Sequence, residues 1–424
     1  MDKLFITALL GLLILVNGAA ENLVYNRFAM LEELESFEID DEDDVGLFDI
    51  PSWTSERGGK VLVNVDSFGA VGDGISDDTQ AFVKAWGTAC AVPKSVFLVP
   101  SGGRYLVNAT RFKGPCADNL IIQIDGTIVA PDEPKNWDPN LARLWLDFTK
   151  LNGVLFQGNG VIDGSGSKWW ASSCKRNKTN PCREAPTAFT IDSSSSVKVK
   201  GLTIKEQPAD EFCDFQVRIP LQNCKIGTGD DCISIVNGSS AIKMKGIYCG
   251  PGHGISIGSL GKDNSTGIVT KVVLDTAVIR ETTNGVRIKT WQGGNGYVRG
   301  IRFENVRMDN VDNPIIIDQF YCDSPKSCRN QTSAVKVSQI ITIVLSNVNL
   351  EKEDGTVETY CNSAEGFGYG IVHPSADCLT SHEKDYNFLD QTGVSQDHSL
   401  NEEAEEMVEL ADSYDDRIVD HTEL

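Results

Sequence analysis

The chain has 424 residues, 41% of them hydrophobic, with 60 acidic and 38 basic side chains and a formal net charge of −22. That length and apolar content support a large folded body, and the absence of any basic stripe excludes nucleic acid as a partner. The negative charge is concentrated: residues 31–50 hold ten acids and no Lys or Arg, residues 383–424 hold fourteen acids against Lys384 and Arg417, and the remainder balances.

The chain opens MDKLFITALLGLLILVNGAA, with Lys3 ahead of an apolar run from Leu4 to Val16 and small residues from Gly18 to Ala20. This pattern is that of a secretory signal peptide over residues 1–20, and the apolar run is too short for a membrane anchor. An acidic segment follows at 21–59, a folded body at 60–380, and an acidic tail at 381–424 whose composition is that of a disordered segment. Export places the twelve cysteines on an oxidising route, which favours disulfides. Short spacings nominate Cys174 with Cys182, Cys232 with Cys249, Cys322 with Cys328 and Cys361 with Cys378. Asn108, Asn177, Asn237, Asn264 and Asn330 head glycosylation triplets. There is no Cys-x-x-Cys pair or His cluster of the zinc type, so neither a metal nor a cofactor is expected.

The body begins VLVNVDSFGAVGDGISDDTQAFVKAWGTAC, which reads as a strand, a Gly-rich turn and a helix. Asp77 with Gln80 has the spacing of a capping box, and Phe82, Val83 and Trp86 supply an apolar helix face. Short alternating runs then recur, among them NLIIQIDGTIVA, GVLFQGNGVIDG, VKVKGLTIKE, IKMKGIYCG, VVLDTAVIRE and IRFENVRMDN. Gly246, Thr276 and Asn305 mark equivalent corners; Gly158, Gly201 and Gly246 are more widely spaced, as if shorter turns intervened. Repeated strands without crossover helices predict an all-β parallel β-helix, each coil burying its inner face on its neighbours, with the short helix capping the N-terminal end. A propeller blade needs more strands than each repeat supplies.

Three stretches on successive coils carry the chemistry: GTGDDCISI, with Asp230 and Asp231; GPGHGISIGS, with His253; and NGVRIKT, with Arg287 and Lys289. Singly, each has an ordinary structural meaning: a solvated turn, a packing histidine, an exposed basic strand face. Equivalent points on neighbouring coils are about 5 Å apart, however, so the three form one patch of two acids, an imidazole and two cations. A corner at GDDC lets adjacent carboxylates face the same side.

These three motifs resemble the signatures of plant-type polygalacturonases, in the family's order. FGAVGDGISDDTQAF is similar to the family's N-terminal entry and NPIIIDQFYC to the region after its basic motif, so that the resemblance covers most of residues 60–380. It implies a right-handed parallel β-helix and a secreted hydrolase of the plant cell wall; a glycosylated solenoid with capped ends is most simply a monomer. The implied reaction cuts α-1,4-galacturonosyl bonds of de-esterified pectin with inversion. It further implies Asp230 as proton donor, Asp231 in activating water, His253 in tuning protonation, and Arg287, Lys289 and Tyr321 in binding substrate.

The family's upstream Ser-Pro-Asn-Thr-Asp-Gly, which supplies a third carboxylate, is replaced here by KEQPADEFCDFQVRIP. Asp210 and Asp214 are the candidates to stand in for that acid. The departure leaves a second reading, a pectin-binding wall protein with impaired catalysis. A calcium-dependent pectate lyase shares the fold, but the three signatures speak against it.

Overall fold

The computed structural model describes residues 59–134, 137, 143–172, 179–180, 185–207, 217–323, 328, 331, 334–335, 343–350, 366–373 and 375. The signal sequence, both acidic segments, Asp210 and Asp214, and the cysteine pairs 174/182 and 361/378 lie outside the described residues.

Apolar and polar residues alternate through short runs, and the strands they form pair in parallel, coil upon coil. Among the described residues 19 strands form one sheet, and Thr110–Lys113, Leu144–Thr149 and Thr187–Asp192 form a second. The result is the expected right-handed parallel β-helix. Inward positions stack like on like. In the N-terminal half they are aromatic: Phe112 lies on Phe148 at 4.8 Å between ring centroids, and Phe148 meets Phe189 at 5.3 Å. Farther on they are aliphatic, Ile233, Ile255, Val286 and Ile315 forming one ladder and Ile235, Ile257, Ile288 and Ile317 the next.

The corners explain the glycine pattern. Gly158, Gly201, Asn223, Gly246, Thr276 and Asn305 occupy one column in strand register. All six have positive φ. Gly158 and Gly201 are therefore direct neighbours rather than separated by shorter turns. The 43-residue step from one to the other includes the insertion that carries a helix at Ser167–Ser172, and Asn223 alone intervenes between Gly201 and Gly246.

Helix α1 (Thr79–Ala91) caps the N-terminal end of the solenoid, with Ala81, Phe82, Ala85, Trp86 and Ala89 buried. Trp86 meets Phe97, Phe112 and Phe148 at 5.3–6.0 Å. Two details differ from expectation. Val83 is 41% exposed, since the buried stripe runs through Phe82, Ala85, Trp86 and Ala89. No capping box forms: the N-cap is Asp78, whose carboxylate accepts from the Val71 and Gly72 amides, while Asp77 accepts from Thr79. The Gly-rich turn consumes the acid that would have capped the helix. Disulfides join Cys232 to Cys249 and Cys322 to Cys328 as spacing predicts, and Cys90 to Cys116, which spacing did not single out. Cys224 is buried and reduced.

Candidate active site

Six strands position the site: β1 (Lys225–Thr228), β2 (Ile233–Ile235), β3 (Ser240–Cys249), β4 (Ile255–Leu260), β5 (Thr266–Trp291) and β6 (Asn295–Tyr321). Asp230 and Asp231 occupy the irregular corner between β1 and β2, and His253 occupies the equivalent corner between β3 and β4. The corners are sewn together by backbone bonds from Thr228 to Pro251, His253 to Asp230 and Cys232 to Gly254, at 2.6–2.8 Å. Leaving the regular pleat at residues 229–232 frees the two acids from opposite faces.

Gly254 makes that stack possible. Its φ is +80°, and a Cβ there would lie 2.0 Å from the Asn284 carbonyl oxygen of the following coil. At Gly229, on the other side, a Cβ would lie 2.2 Å from the indole nitrogen of the Trp170 side chain. The Cys232–Cys249 disulfide adds a covalent tie beside the doublet.

The side chains form two linked units. Asp230 Oδ1 accepts from the Asp231 amide at 2.8 Å and lies 2.8 Å from His253 Nδ1. That hydrogen bond raises the His253 pKa above the ordinary imidazole value, against the opposing effect of burial. Asp231 is 1% exposed. Its carboxylate accepts from Arg287 Nη2 at 2.6 Å, Lys289 Nζ at 2.9 Å and Ser256 Oγ at 2.8 Å. A carboxylate removed from water requires such compensation. Two cations on one carboxylate leave one positive charge over, which suits a site for a second carboxylate. The acid doublet and His253 each place a polar atom within 4.8 Å of the others.

Arg287 and Lys289 thus hold Asp231, an engagement that the sequence did not reveal. Ser256 was missed altogether. It pairs in register with Arg287, accepts from Arg287 Nε at 3.0 Å and donates to Asp231. Its position three residues after His253, between two isoleucines, was the available signal. Tyr321 lies at the end of β6 with Lys289 Nζ 5.5 Å from its ring centroid. Burial and nearby acid push its hydroxyl up to about 12.

A solenoid whose stacked corners join a carboxylate pair, an imidazole and two cations carries the groups that acid–base cleavage of an anionic substrate requires. The chain belongs to the glycosyl hydrolases family 28, whose model matches residues 90–216 and 213–371. The two matched spans meet where the family's Asn-Thr-Asp signature is missing. The chain is 39% identical over 376 residues to a polygalacturonase of Juniperus ashei, covering 75% of this chain and 74% of that one. It is 41% identical over 315 residues to a polygalacturonase of Solanum lycopersicum, covering 68% of each. The fold is shared with an endo-xylogalacturonan hydrolase of Aspergillus tubingensis at a TM-score of 0.54 and 21% identity, over 68% of this chain and 84% of that structure.

Proposed function

We propose that this protein is a secreted polygalacturonase that hydrolyses galacturonosyl bonds of de-esterified pectin in the plant cell wall, acting as a monomer. The observation that carries the reading is the stacking of Asp230, Asp231, His253, Arg287 and Lys289 into one bonded cluster from three coils. Asp230 donates a proton to the leaving glycosidic oxygen, and His253 beside it governs when that proton is held. Asp231 steadies the attacking water. The surplus positive charge of Arg287 and Lys289 receives a uronate carboxylate.

Inverting glycosidases place acid and base about 6.5–9.5 Å apart to admit water. Asp230 and Asp231 have oxygens nearer than that, within 4.8 Å. The base across the bond is therefore assigned to a third carboxylate, for which Asp210 is a candidate by its distance to Asp230 and Asp214 by its context after PADEFC. The test is a reducing-end assay on polygalacturonate. Wild type generates new ends; Asp230→Asn loses about a hundredfold or more in kcat with its melting temperature retained. Of Asp210→Asn and Asp214→Asn, one matches that loss. Wild-type protein that binds the polymer without producing ends would establish the non-catalytic reading instead.

A further inference from the structure

On β5 the residues Val286, Ile288 and Thr290 point into the solenoid, so Arg287, Lys289 and Trp291 share the opposite face. The alternation is intact from Val286 to Trp291. The register shifts recorded on either side are taken up by the neighbouring coils, between Ile257 and Leu260 on β4 and between Asp318 and Tyr321 on β6. The face bearing the two cations therefore continues to an indole.

That indole is flanked from both neighbouring coils. Tyr321 packs edge-on to Trp291, with ring centroids 5.5 Å apart and planes at 89°. From the other side Lys262, exposed on the turn after β4, places Nζ 5.4 Å from the Trp291 ring centroid. Among the described residues no carboxylate lies within ion-pair distance of Lys262. An unbroken series of contacts thus runs from Asp231 through Lys289, Tyr321 and Trp291 to Lys262.

An acidic pyranose presents two features: a face of C–H groups that packs on an aromatic ring, and a carboxylate that seeks a cation. Trp291 and Lys262 offer that pair of complements, one strand step beyond the cations that hold Asp231. We propose that Lys262 and Trp291 form a second uronate subsite, which binds the sugar adjoining the one held by Arg287 and Lys289. This rests on the polygalacturonase reading and adds to it residues that determine specificity for long acidic chains.

The test compares wild type with Lys262→Gln, Lys262→Arg and Trp291→Leu on galacturonate oligomers of increasing length and on the polymer. Lys262→Gln is expected to raise KM about tenfold on the polymer while kcat stays within about twofold, because a contact made equally in ground and transition states is lost. The penalty shrinks as the oligomer shortens until it no longer reaches the subsite. Lys262→Arg restores most of the loss, and Trp291→Leu shows the same dependence on length. A penalty equal at all lengths, or none at any length, would overturn the proposal. Calorimetric binding of the same oligomers separates this from failure of the catalytic reading. If wild type releases no reducing ends, hydrolysis falls, whereas the length-dependent loss of affinity in Lys262→Gln still decides the subsite.

Discussion

His253 Nδ1 and Asp230 Oδ1 are hydrogen-bonded at 2.8 Å, and that bond sets how the site answers to pH. The carboxylate raises the imidazole pKa above its ordinary 6.5. The sign follows directly: the pair's contribution to the folded state is full below 6.5 and disappears as pH rises through the raised value. Catalysis by a proton donor follows the same limb, falling on the alkaline side as the pair loses its proton. In His253→Gln the proton rests on Asp230 alone, a group of carboxyl rather than imidazole acidity, and the alkaline limb of kcat/KM moves to lower pH. A limb that stays in place would remove His253 from the acid unit. The residues of this cluster were legible in the sequence because each motif held a chemically distinctive type. Their bonding was not. Whether Arg287 and Lys289 reach Asp231 depends on coil register to within one residue, and the sequence shows a corner without its exact turn.

The corners themselves show what the element scale adds. Strand alternation and the repeat at Gly246, Thr276 and Asn305 were readable because the coil length reappears as their spacing, although Thr276 is not a residue type that a positive φ favours. That Gly158 and Gly201 are adjacent in the column was obscured by the insertion near Ser167–Ser172, which lengthens one coil without altering its register, and Asn223 went unnoticed between Gly201 and Gly246. The extent of β5, 26 residues, and β6, 27 residues, was also hidden, because the pairing continues round bends that look like turns in sequence. Gly254 and Gly238 separate the two demands made on such glycines. Both have φ near +80 to +88°, but a Cβ at Gly238 meets nothing within 4 Å, whereas at Gly254 it overlaps backbone of the next coil. Gly238→Ala is expected to cost about 1–2 kcal/mol, the left-handed penalty alone. Gly254→Ala is expected to cost at least about 3 kcal/mol and to remove activity with it, since it displaces the corner that carries His253. Denaturant titration of the two variants reads the difference, and equal losses would mean that the close approach at Gly254 costs nothing.

At the scale of the whole molecule the charge distribution bears on the encounter with substrate. The folded body is electrically balanced, and the entire formal charge of −22 resides in residues 31–50 and 383–424. De-esterified pectin is a polyanion, so these segments repel it wherever they lie within a Debye length of its path, about 10 Å at 0.1 M salt. The local positive charge left over at Arg287 and Lys289 must work against that field, and long-range repulsion slows association more than it weakens the bound state. A chain shortened after residue 381 should therefore show a higher kcat/KM on polygalacturonate at low ionic strength, by about two- to fivefold, with kcat unchanged. The advantage should close as salt is raised, because screening removes the repulsion but leaves the buried ion pairs of the site intact. An advantage that persists at high salt would mean that the tail obstructs the site sterically, and no advantage at any salt would mean that its charge lies too far from the substrate to matter.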